Sequence, residues 1–267
     1  MKELAATPYL LTFNIFAQRT DVVAFVTSRI GGFSNHPVSS CNIGLTELED
    51  IATTIKNRQQ VCQALGISIE TLTFQNQVHS DSIAIVDAHN AGAGRRVKAE
   101  AIEKTDALIT STKGVTLIAQ SADCVPIVIY DTQKKVAAAV HAGWRGTVKK
   151  IAQKTALRMV EAMGCNPANM IVGIGPSIGP CCYEVGKEVL DETSKAFGNS
   201  QSLVSEVNSK QHFNLWEANR LQLVEVGIAN ENIELSRICT FCNHRTFYSH
   251  RHDRGVTGRF GAGISIL

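Results

Sequence analysis

Two histidines and a cysteine stand at the ends of strand-like runs: His79 in QNQVHSD, Cys124 in SADCVP and His141 in AVHAGWRG. Side chains at such ends leave the core and meet solvent. Two imidazoles and a thiolate are the borderline-soft donors that Zn²⁺ takes in a tetrahedron, and three protein ligands leave a fourth position open, as in catalytic sites. The three residues are far apart in sequence and match no local zinc pattern. A buried thiol with two hydrogen-bonded imidazoles is the plainer alternative.

Four further groups carry potential chemistry. Cys239-Thr-Phe-Cys242 resembles half of a structural zinc site; no second Cys/His pair follows, and His250 and His252 are the residues expected to complete it, against a simple turn with two semi-buried thiols. Cys181-Cys182 lies in GPSIGPCCYEVG, a Gly-containing loop that lacks the Lys-Ser/Thr ending of a nucleotide P-loop. Adjacent cysteines rarely pair with each other, because the ring they close is strained. The run SHRHDRGVTGR (249–259) carries Arg251, Arg254 and Arg259, which suit phosphate but equally a solvated edge paired with Asp253. Arg145 in HAGWRG opens a helix beside a potential metal ligand, where an anion is favoured; a surface Arg in a tight turn is the alternative.

The elements that must position these residues alternate between short β runs and amphipathic helices. Strands are expected at 22–28, 72–75, 83–87, 107–110, 115–120, 126–131, 136–141, 170–175 and 233–239, with a short terminal strand. Helices are expected over 47–65, with Ile51, Ile55, Cys62 and Leu65 inward, and over 146–163, 186–197 and 215–226. Gly66 and Gly164 provide helix stops. This mixture implies one α/β or α+β domain spanning residues 1–267.

Composition narrows the class. The chain has 267 residues, 26 Lys+Arg against 24 Asp+Glu and a net charge of +2, which gives no reason to expect a nucleic-acid groove or an anionic membrane partner. No signal peptide or spanning segment is visible, so a cytoplasmic setting with reduced thiols is expected for the eight cysteines. Cys41, Cys62 and Cys165 read as small buried hydrophobes, with Cys41 beside Asn42 in SSCNIGL a candidate lining residue.

Seven blocks in order — QVHSD, DALIT, ADCVPIVIYD, VHAGWRGT, GPSIGPCCYEVG, CTFC and FYSHRHDRGVTGR — resemble the YfiH family, also called the multicopper polyphenol oxidase (laccase-domain) family. The resemblance covers nearly the whole chain. It implies a cytotoxic-necrotizing-factor/YfiH-like α/β/β/α sandwich and a mononuclear zinc site of two His and one Cys, which fall here on His79, Cys124 and His141. It also implies phosphorolysis of adenosine, inosine, guanosine and methylthioadenosine, and deamination of adenosine. Editing of peptidoglycan precursors is a further bacterial reading. One departure stands out: the family's usual SYRRD or SHRRD is Ser249-His250-Arg251-His252-Asp253 here, so Arg251 keeps its match and His252 replaces the second Arg.

Among these activities the residues favour nucleoside chemistry. A multicopper oxidase needs about ten His, many in His-x-His pairs; this chain has eight, with one such pair at 250/252. A single adventitious copper in the His79/Cys124/His141 site is compatible with copper's high affinity. For deamination, a metal that lowers the pKa of water to about 7 supplies the nucleophile, and Asp123 is the expected proton carrier. For phosphorolysis, Arg145 is the expected phosphate anchor, with Asn42, Gln77 and Arg251 as substrate contacts. A metal-free alternative makes Cys124 a nucleophile and His141 its base. A non-enzymatic binding protein with zinc as a structural clip is the remaining class.

Overall fold

The computed structural model describes residues 1–198 and 202–267. Its strands are β1 (Lys2–Ala5), β2 (Leu10–Thr12), β3 (Val22–Thr27), β4 (Leu72–Phe74), β5 (Ile83–Ile85), β6 (Ala107–Thr110) and β7 (Thr116–Ser121). They continue with β8 (Val125–Asp131), β9 (Val136–Ala142), β10 (Met170–Ile174), β11 (Val204–Val207), β12 (Lys210–Phe213), β13 (Ile233–Leu235) and β14 (Phe260–Ile266). The helices are α1 (Ile51–Leu65), α2 (Trp144–Val148), α3 (Ile151–Met163), α4 (Lys187–Phe197) and α5 (Leu215–Glu225).

Two six-stranded sheets form, in the orders β1-β2-β3-β14-β7-β4 and β13-β10-β8-β9-β6-β5; β11 and β12 make a separate hairpin. Period-two alternation assigns each strand residue to a layer. Leu117 and Ala119 of β7 point between the sheets, where they join Ala24 and Val26 of β3, Val128 of β8 and Ala139 of β9. Ile118 points the other way, with Phe25, Leu72 and Phe74, onto Val61 and Cys62 of α1. On the far side Ile109, Ile127, Ile129 and Val140 meet Ile151, Ala156 and Met159 of α3 and Leu215 and Leu223 of α5. The layers are therefore α/β/β/α, as the resemblance implies. No helix among the described residues is long and apolar enough to cross a membrane.

The structure revises several boundaries. The segment expected as one helix over 146–163 is two, because Lys150 takes a left-handed conformation (φ 65°). Packing explains the break. The Thr147 carbonyl accepts from Lys150 N at 3.0 Å and from Gln222 Nε2 of α5 at 2.9 Å, which occupies an acceptor that a continuous helix would use internally. Helix α1 begins at Ile51 rather than residue 47, and Ile51 is exposed; its inward face is Thr54, Asn57, Arg58, Val61 and Cys62. Gly66 and Gly164 cap α1 and α3 in left-handed conformations, as expected. The terminal strand is not peripheral: β14 lies between β3 and β7, and a Cβ on its Gly263 would come within 2.4 Å of the Phe25 ring. Cys41, Cys62 and Cys165 are buried fillers.

Candidate metal and active site

The chain passes between the two sheets three times at the same end of the sandwich, from β4 to β5, from β7 to β8 and from β13 to β14, and the first two passages carry candidate ligands. The segment from β4 to β5 carries His79, and the turn from β7 to β8 carries Cys124. His141 projects from β9, in register with Pro126 of β8. These crossings bring together three residues that the sequence keeps apart, with their ligand atoms all within 4.8 Å of one another.

Asp106, immediately before β6, organises the cluster. Its carboxylate accepts backbone N–H bonds from Val78 (3.2 Å), His79 (3.0 Å) and Ser80 (2.6 Å), and a further bond from the Ser80 hydroxyl. It also faces His141 Nδ1 at 2.8 Å, which turns the other ring nitrogen, Nε2, toward Cys124. Three backbone donors on one carboxylate hold His79 in its left-handed conformation (φ 59°). Burial alone would raise the Asp106 carboxyl, but His141 and Ser80 hold it down at about 2.

The donor set fits a metal. Cys124 Sγ lies 3.8 Å from His79 Nε2; sulfur and nitrogen sharing a tetrahedral zinc stand about 3.6 Å apart. Burial would raise the Cys124 thiol, yet His141 and His79 bring it down to about 6. Burial would lower His141, yet Cys124 and Asp106 lift it to about 9. Gly143 leaves the necessary space, since a Cβ there would stand 2.9 Å from His79 Cδ2 and 3.0 Å from Cys124 Sγ.

The cluster opens on a cleft of about 530 Å³, within the range of small-molecule sites. Asp123 lines it in a left-handed conformation (φ 93°), with its carboxylate accepting from Thr240 Oγ1 (2.6 Å) and Arg251 N (2.7 Å). Gln77 lines it too, but its amide is engaged reciprocally with the Gln120 backbone at 2.9 Å in each direction. Arg251 reaches the cleft beside Tyr183. Asn42 is fully buried behind the wall, where its Oδ1 accepts from Gly44 N and from Arg259 N. Arg145 is outside the lining: it is half-exposed, stacks on Trp144 and faces Glu188 at 3.4 Å.

Gln75, Tyr183, His250 and Arg259 also line the cleft, and the sequence reading placed none of them beside the triad. Gln75 is 4% exposed, and neither atom of its amide has a hydrogen-bond partner among the described residues. Asp106 and Gly143 were also missed as individual residues. Asp106 did carry a signal, being a carboxylate placed directly before an apolar strand in DALIT.

A second sulfur cluster lies nearby. Cys239 and Cys242 are completed by Cys181 and Cys182, not by His250 and His252, and the four sulfurs lie within 4.8 Å of one another. Both expected histidines are placed elsewhere: His250 lines the cleft, and His252 stacks on His244 at 3.6 Å and faces Asp253. The missing half of the motif precedes Cys239 in sequence, and only the fold joins the two loops.

The solved structure of a hypothetical protein YfiH from Bacillus licheniformis superposes with a TM-score of 0.93 at 33% identity, covering 98% of this chain and 97% of that one. A Bacillus subtilis protein named purine nucleoside phosphorylase YlmD is 36% identical over 97% of this chain and 95% of its own length. A protein named adenosine deaminase RL5, from an unknown prokaryotic organism, is 34% identical over 91% of this chain and 93% of its own length. The family model described as multi-copper polyphenol oxidoreductase laccase matches residues 23–267, and the chain belongs to that family.

Proposed function

We propose that the chain is a zinc-dependent purine nucleoside enzyme. It cleaves adenosine, inosine, guanosine and methylthioadenosine with phosphate and removes the amino group of adenosine. Relatives named purine nucleoside phosphorylase and adenosine deaminase match it over nearly their full length. The observation that carries the reading is the Asp106-braced His79/Cys124/His141 triad, opening on a cleft whose wall presents the unpartnered Gln75 amide.

His79 Nε2, Cys124 Sγ and His141 would hold the zinc ion, which when bound would supply a Lewis acid and bring the pKa of water to about 7. The protein's own groups do the rest. The Gln75 amide offers one donor and one acceptor edge to a purine, which satisfies an otherwise costly buried group. Arg251 and Arg259 provide the cations for phosphate in place of Arg145, which lies outside the cleft lining. In phosphorolysis a phosphate oxygen bonds to ribose C1′ as the bond to the base breaks, and the departing base takes up a proton. In deamination water adds at C6 and ammonia leaves. Asp123 lines the same cleft and carries the proton in both. Four coppers do not fit: the potential metal groups among the described residues are this triad and the four-cysteine cluster.

A second reading rests on the line Asp106–His141–Cys124, the order of a Cys-His-Asp hydrolase triad working without metal. Incubation with adenosine, with and without phosphate, tests the first. Phosphate-dependent adenine with ribose 1-phosphate, or inosine, supports it, and neither product defeats it. Full activity of metal-free protein, lost on thiol alkylation, would establish the second instead.

A further inference from the structure

We infer that Cys181, Cys182, Cys239 and Cys242 form a second metal site, a structural zinc tetrathiolate that clamps the wall of the cleft. Four thiols from two loops converge among themselves: Cys182 Sγ and Cys181 Sγ lie 3.4 and 3.8 Å from Cys242 Sγ, and all four sulfurs fall within 4.8 Å. Sulfurs at the corners of a tetrahedron with bonds of about 2.3 Å stand about 3.8 Å apart. The two Cys242 Sγ separations of 3.4 and 3.8 Å are close to that spacing, and the remaining pairs fall within 4.8 Å. The Gly179 N–H points at Cys239 Sγ at 3.2 Å, the kind of outer bond that orients and stabilises a ligating thiolate. A closed four-sulfur tetrahedron with no open position is the form that structural zinc takes.

The position gives the site its role. Cys182 precedes Tyr183, which lines the cleft. Cys239 precedes Thr240, whose hydroxyl holds Asp123 and whose N–H bonds the Ser177 carbonyl at 3.1 Å. The segments 177–183 and 239–243 include no regular helix or strand beyond single bridges, so few ladder bonds fix them. A metal joining both loops adds a second cross-link to the Ser177–Cys239 bridge, fixing Thr240 against Asp123 and Tyr183 in the cleft wall. The site is independent of the His79/Cys124/His141 triad and shares no ligand with it.

Metal analysis of protein purified under reducing conditions tests this. The wild type should carry two zinc ions per chain. Cys124→Ser should keep one, with an all-sulfur shell at about 2.3 Å by X-ray absorption and the intense visible bands of a tetrahedral thiolate complex after cobalt substitution. Cys239→Ser should lose the all-sulfur ion and melt at lower temperature. Should that variant fail to fold, the Cys124→Ser spectrum still decides. The assignment is overturned if Cys124→Ser retains no metal, if its remaining ion is iron or lacks an all-sulfur shell, or if mass spectrometry finds a Cys182–Cys242 disulfide in the freshly purified wild type. Loss of zinc from Cys124→Ser with the wild type still processing adenosine would overturn this site alone and leave the nucleoside reading standing.

Discussion

Asp106 is the residue on which the triad's geometry turns, although it touches the cleft only through others. One carboxylate fixes three consecutive backbone N–H groups and the tilt of His141. Asp106→Asn keeps the shape but exchanges one acceptor oxygen for a donor facing those N–H groups. Zinc affinity of the triad should fall about 10–100-fold, measured by competition with a chromophoric chelator; an unchanged affinity would remove Asp106 from this role. Gly143→Ala should displace His79 or Cys124, since its Cβ meets both at about 3 Å, and lower zinc occupancy while the far-ultraviolet circular dichroism stays unchanged. Gln75→Leu removes a buried amide without a partner in the free protein. It should raise KM for nucleosides while leaving thermal stability equal or higher, which separates a substrate contact from a structural one.

At the scale of elements, α1 is held by a polar face where an apolar one was expected. Arg58 is 2% exposed and donates to the carbonyls of Ile43 (2.8 Å), Gly94 (2.9 Å) and Arg95 (2.7 Å), with its guanidinium 3.8 Å from the Phe74 ring centroid. Burial pulls its pKa down to about 9. The helix thereby ties two irregular segments on the rim of the cleft to β4. Arg58→Ala orphans the Gly94 and Arg95 carbonyls, leaves the Ile43 carbonyl to the Gln120 amide at 3.1 Å, and empties the space over Phe74. It should cost about 3 kcal/mol or more by urea denaturation, whereas Lys, with a single point of charge, should restore little of it.

At the scale of the molecule, the two sheets are joined at the end of the sandwich away from the cleft by a charged knot as well as by their shared core. Asp21, just before β3, accepts from Arg19 at 2.7 Å, from the Tyr130 hydroxyl of β8 at 3.0 Å and from Lys135. Arg19 does most to hold the Asp21 carboxyl below the usual range, against a smaller opposing effect of burial, with Lys135 and Tyr130 adding to the lowering. A carboxyl whose folded pKa is depressed stabilises the fold above its unfolded pKa of about 4 and loses that contribution as pH falls below it. Asp21→Asn should therefore lower the urea midpoint at neutral pH, and the gap to wild type should close as pH drops from about 4 toward the acid limit. A gap independent of pH would assign the effect to packing instead.

The sequence alone indicated ten of the fourteen described strands, though not β1, β2, β11 or β12, along with most helix ends and the chemical type of the candidate ligands. The first two depend on neighbours one to four residues apart, which is why VAAAVH and the glycine stops after α1 and α3 were legible, whereas His79, Cys124 and His141, far apart and in no local zinc pattern, stand out as a set only through the family resemblance. The helix break at Lys150, the polar inner face of α1 and the central place of β14 were not, because each is imposed by contacts distant in sequence. The same holds for the second sulfur cluster. Spacing alone points to partners for Cys239 and Cys242 downstream at His250 and His252, while the fold supplies them from 181–182. A metal site needs donors within a few ångströms, and the sequence states only which donors exist. Their convergence is set by where the chain crosses from one sheet to the other, and that is decided by the packing of the two sheets across a common core.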